Sequence, residues 1–180
     1  RISFRKGGGA VKLTTRQLAL CAMLTALALA LSYMEALFPL PLLIPLPGIK
    51  LGLANIVTVF ALCQLGAAPA LVILLARCFL GALFAGNASA LLFSLLGGVT
   101  ALLVEILLTH CPGLSIFGLS MGGAAAHNCG QVAAAILTLG TVTPLGYLPV
   151  LLLVSLFTGG LTGFIVSLLF RATEHIPLLH

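Results

Sequence analysis

Seven polar side chains set among long apolar runs are placed to hold a ligand: Lys50, Asn55, Arg77, Asn87, His127, Asn128 and Gln131. Lys50 and Asn55 close a stretch, Pro45-Leu-Pro-Gly-Ile-Lys-Leu-Gly-Leu-Ala-Asn55, whose first half is too rich in proline and glycine to be helical. A basic residue and an amide beside a broken backbone suggest the rim of a site. His127 and Gln131 are four apart and share one helical face, with Asn128 about 100° round from them. That trio reads either as hydrogen bonds fixing helix packing or as a ligand site. Arg77 and Glu105, the ionisable groups furthest inside two neighbouring spans, read as a structural ion pair, with an anion-binding Arg77 as the sharper alternative.

Catalytic chemistry has little to work with. The chain contains no Asp, and its three carboxylates are Glu35, Glu105 and Glu174. His110, His127, His175 and His180 show no metal-ligand spacing, so no metal is expected. Gly159-Gly160-x-x-Gly163 and Gly118-x-x-x-Gly122 lack the strand and lysine context of nucleotide loops and read as helix-packing faces.

The elements that must carry these residues are membrane spans. Hydrophobic residues make up 61% of the 180 and charged residues 6%, with a mean hydropathy of +1.28. A soluble domain carries about a quarter charged residues, so this composition requires an integral membrane protein. Of the basic residues, Arg1, Arg5, Lys6, Lys12 and Arg16 precede the first apolar run. Beside such a run they mark a cytoplasmic end near anionic headgroups, with no call for nucleic acid. The run over 18–37 is too long for a signal-peptide core and reads as a retained first span. Cys21, Cys63, Cys78, Cys111 and Cys129 are scattered and odd in number, as packing residues would be.

Glycine and proline punctuate the chain into six helices. Thr14 with Gln17 resembles a capping box opening the first, which runs to about 37. On it Ala22, Ala26 and Ala30 put small side chains on one face. Four prolines between 38 and 47 exclude a helix there, and the segment reads as a lid over the outer mouth. The remaining spans fall at about 51–65, 70–85, 88–109, 115–139 and 147–170. Residues 14–171 thus form a single six-helix transmembrane domain, flanked by a basic cytoplasmic segment (1–13) and a short cytoplasmic tail (172–180). An even number of spans puts both termini in the cytoplasm, agreeing with Arg171 and the basic N-terminus. Glu35 and Lys50 then meet at the outer face.

The alanine-rich first helix, the proline-rich segment and Pro47-Gly-Ile-Lys-Leu-Gly-Leu-Ala-Asn-Ile56 together resemble a known family. So do Leu80-Gly-Ala-Leu-Phe-Ala-Gly86, Ser94-Leu-Leu-Gly-Gly98 and Gly123-Ala-Ala-Ala-His-Asn-Cys-Gly-Gln131. The family is the Gx transporter family, also called heptaprenyl diphosphate synthase component I. It is similar in turn to the S components of energy-coupling factor (ECF) transporters. That resemblance implies an all-α six-helix bundle in a bacterial cell membrane, with a small-molecule ligand pocket in the outer half and no cofactor. It also implies that Ala22, Ala26 and Ala30 dock on a transmembrane coupling subunit, with a separate ATPase supplying energy. Members also resemble a membrane component of flavin-based extracellular electron transfer, which implies an extracytosolic flavoprotein as an alternative partner. The synthase name is bounded by chemistry: prenyl synthases hold Mg²⁺ through clustered carboxylates, so this chain is at most a non-catalytic accessory.

Overall fold

A computed structural model describes residues 15–37 and 52–173. Among them are six α-helices and no strand: α1 (Thr15–Ala36), α2 (Asn55–Leu65), α3 (Ala67–Ala85), α4 (Ala88–Leu108), α5 (Ile116–Leu139) and α6 (Leu148–Thr173). A short 3-10 helix, Thr143–Tyr147, leads into α6. The expected Thr14 cap, the proline-rich lid and Lys50 lie outside the described residues.

The breaks follow the expected punctuation. Gly66, Gly86 and Gly140 all have positive φ at helix ends, and Asn87 and Ser115 cap α4 and α5 by accepting backbone N–H bonds. The one clear departure is α2. It begins at Asn55 instead of about residue 51, because Gly52 adopts φ 82° and turns the chain just before the helix. At eleven residues it is about 16 Å long, roughly half the 30 Å hydrocarbon core. Among the described residues, four segments are long and apolar enough to cross a membrane: Thr15–Glu35, Ala67–Ala85, Ala88–Leu108 and Thr143–Thr173. Helix α5 has the length but interrupts its apolar run with His127, Asn128 and Gln131.

Helix α5 packs most extensively against α4 and α6, while α1, α2 and α3 pack on one another and join the rest through α4 and α6. Small residues make this possible. Gly130 meets the Leu96 carbonyl and the Thr100 hydroxyl of α4, and Thr100 Oγ1 donates across the seam to Ala126 O at 3.0 Å. Gly159 and Gly163 bring α6 onto the α5 backbone at Met121 and Phe117, as their spacing suggested. Gly122 meets Leu108 of α4, whereas Gly118 faces Leu114 in its own lead-in and joins no helix pair.

The distribution of polarity is that of a protein solvated by lipid. Phe157, Phe84 and Leu83 are 81%, 76% and 73% exposed, while Glu35, Arg77, Glu105, His127 and Gln131 are buried. Cys21, Cys63 and Cys78 pack into the core. On α1, Cys21, Thr25, Ala28 and Glu35 face the bundle, and Ala22, Ala26 and Ala30 all face away from it.

Gly159 and Gly160 provide a matched test of this packing. A methyl at Gly159 overlaps the α5 backbone, which cannot yield, whereas one at Gly160 meets the flexible end of Met121. Gly159→Ala should therefore lower stability by about 1–3 kcal/mol, and Gly160→Ala should melt close to wild type in the same micelles. Equal melting of the two variants would contradict the close α5–α6 contact.

Candidate functional site: a buried polar cluster at the start of α2

A helix that opens inside an apolar bundle has backbone donors that water cannot reach. Ala54, the residue before α2, has no side chain to cap them. Glu35, at the end of α1, takes this role. Its carboxylate accepts the Gly52 N–H at 2.6 Å and the Leu53 N–H at 3.2 Å. The turn closes with Asn55 N–H donating to Gly52 O (2.8 Å) and Ile56 N–H to Leu53 O (3.1 Å). The His127 ring lies beside Gly52, where an added Cβ would stand 3.5 Å from it. That is an ordinary contact, so backbone conformation is what calls for glycine here.

Asn55 begins the helix and reaches across to α4. Its amide Nδ2 donates to Glu105 Oε1 at 2.6 Å. Glu105 is fully buried, and its carboxylate occupies the space that a side chain at Gly123 of α5 would need. Further up α4, Gly97 and Gly98 open two sides of one helix, since successive residues point about 100° apart. Gly97 leaves room for His127 and Gln131 of α5. Gly98 leaves room for Leu74 and Arg77 of α3, with the Arg77 guanidinium 3.3 Å from where a Cβ would sit. Gln131 Nε2 and His127 Nε2 are 3.1 Å apart.

The structure thus brings His127 and Gln131 to Gly97 on one side of α4 and Arg77 to Gly98 on another, with Asn55 held at Glu105 further along the same helix. It sets two other expected residues apart. Asn128 donates to Leu151 O of α6 at 2.8 Å and so fastens α5 to α6. Asn87 is exposed at the tip of α4, where it accepts the Ser89 N–H at 2.9 Å. Lys50, and with it the expected meeting with Glu35, lies outside the described residues.

The expected ion pair between Arg77 and Glu105 is corrected. Glu105 bonds Asn55 instead, and Nε and Nη2 of Arg77 make no hydrogen bond. The two side chains occupy different glycine-made spaces, Glu105 over Gly123 and Arg77 over Gly98. Several buried atoms have no hydrogen-bond partner: Asn55 Oδ1, Thr58 Oγ1, Glu105 Oε2, Ser120 Oγ and, on Arg77, Nε and Nη2. Such groups are rare in folded proteins and costly. Glu35, Thr58, Glu105 and Ser120 were missed as site residues. Signals for three of them were present: Glu35 and Glu105 are two of three carboxylates in the chain, and Thr58 follows Asn55 at i+3. Among the described residues no group of His, Cys, Asp or Glu converges as a transition-metal site would require.

The Asn55–Glu105 contact is open to a double-mutant cycle. Asn55→Leu leaves a bare carboxylate and should cost about 2 kcal/mol or more. Adding Glu105→Leu should recover much of that loss in the same denaturant titration. Strictly additive losses would show that the two side chains do not interact.

A family model described as heptaprenyl diphosphate synthase component I matches residues 24–169, from within α1 nearly to the end of α6. Comparison with curated proteins and with solved structures finds no match.

Proposed function

Since the chain belongs to the heptaprenyl diphosphate synthase component I family, we propose that it is a non-enzymatic membrane subunit binding a small or amphipathic ligand. In this reading six spans place both termini in the cytoplasm, and a separate partner, a coupling subunit with its ATPase, supplies energy as in S components. The polar end of the ligand sits against Arg77, Asn55, His127 and Gln131, and Lys50 closes the site from the outer side. The observation that carries the reading is the set of buried polar atoms left without partners around Asn55 and Arg77. Packing alone gives no reason to keep a guanidinium and a carboxylate in an apolar interior without pairing them.

The outward alanines of α1 support the docking part of the proposal. Ala22, Ala26 and Ala30 form a shallow exposed strip beside Met23 and Leu27, which are 70% and 48% exposed. In lipid, a strip of small residues gains by close contact with another helix.

The family description itself favours a second reading, a non-catalytic accessory to prenyl diphosphate synthesis. With no Asp in the chain, the carboxylate clusters that hold Mg²⁺ in such synthases belong to another subunit. Unchanged synthase activity after removal of this chain would dismiss that reading.

Native mass spectrometry of protein released directly from membranes tests the leading proposal. The wild type should carry a bound small-molecule mass that Arg77→Gln loses. Ala26→Leu should keep that mass but lose the co-purifying coupling subunit. A wild type free of ligand, or an Arg77→Gln variant that keeps it, would overturn the site.

A further inference from the structure

Four of the unpartnered atoms in the bundle are oxygens from three helices: Asn55 Oδ1 and Thr58 Oγ1 of α2, Glu105 Oε2 of α4 and Ser120 Oγ of α5. Their residues are nine-tenths or more buried, with Thr58, Glu105 and Ser120 at 0% exposure and Asn55 at 3%. Asn55 and Glu105 are in contact at 2.6 Å. A carboxylate accepts, so the amide nitrogen faces Glu105 and the amide oxygen is left beside that contact. Thr58 stands one turn along α2 on the same face. Ser120 stands one turn from Gly123, the residue that makes space for the Glu105 carboxylate. Two helix faces and one carboxylate therefore bring oxygen atoms toward the same interior region.

The chemistry of this set is specific. One carboxylate, one amide carbonyl and two hydroxyls are the donors that hard cations take, and they are not transition-metal ligands. The set carries a single formal negative charge, which matches a monovalent ion. The Nε and Nη2 of Arg77 remain without hydrogen bonds. A cation on Glu105 Oε2 would take over the neutralisation of that carboxylate and leave Arg77 to an anionic group. We propose that Asn55, Thr58, Glu105 and Ser120 form a site for a dehydrated monovalent cation of about sodium size.

The test needs no ligand, so its failure would leave the ligand reading standing. Purified full-length protein is melted in sodium, lithium, potassium or choline chloride at equal ionic strength. The melting temperature should rise with sodium and saturate, while choline gives no rise. Thr58→Val and Ser120→Ala remove one buried hydroxyl each at nearly constant shape. Each should melt in choline at or above the wild-type temperature and lose the sodium increment. Glu105→Gln should lose it too. A melting temperature that follows ionic strength whatever the cation overturns the site. So does a sodium increment that survives both hydroxyl substitutions, the result expected if bridging water or packing alone occupied these atoms.

Discussion

The structure depends on one constraint of apolar surroundings: backbone donors at the start of a buried helix must find protein acceptors. Helix α2 by itself is shorter than the hydrocarbon core and opens beside the polar cluster, so its lead-in cannot rely on water. Glu35 supplies the acceptors from the far end of α1. That bond holds the left-handed turn at Gly52 beside His127, and the turn in turn delivers Asn55 to Glu105. Glycine at 97, 98 and 123 then provides the spaces into which His127, Arg77 and Glu105 fit. Carboxylates that are expensive to bury are thereby tied to the places where helices change direction.

Much of this architecture was legible in the residues, for physical reasons that can be named. Gly66, Gly86 and Gly140 end helices because they accept positive φ, and the helices before them stop within a residue or two of their expected ends, although α3 starts at Ala67, three residues before its expected start. The small-residue spacing of Gly159 and Gly163 identified a real helix contact, and the shared face of His127 and Gln131 proved correct. Partners across helices were less legible. Spacing tells which face a side chain occupies, but not which neighbour reaches it first. Arg77 and Glu105 lie in adjacent antiparallel helices and were paired for that reason. The glycines that separate them could be seen only as a motif, with no indication of which side chain fills each space. Asn128 sits beside His127 in sequence yet faces α6, where a backbone carbonyl takes up its amide.

The start of α2 was the harder boundary. The run 51–65 is apolar apart from Asn55, Thr58 and Gln64, and nothing in its periodicity separates a turn at Gly52 from a helix containing it. What decides the matter is tertiary: Glu35 stabilises a non-helical backbone at that point. The rarity of carboxylates in this chain was the available clue, and their rarity is also why each carries so much of the structure.

Two surfaces of the molecule now have distinct characters. The outward alanine strip of α1 is apolar and shallow, suited to another helix. The interior around α2 is polar and incompletely bonded, suited to a small occupant. In the proposed function this interior is a binding site and not a packing device. The most direct measurement is an experimental density map of the protein in lipid nanodiscs. Density that belongs to no side chain is expected between Arg77 and Asn55, with Glu105 still on Asn55. Arg77 bonded directly to Glu105, with no such density beside them, would contradict it.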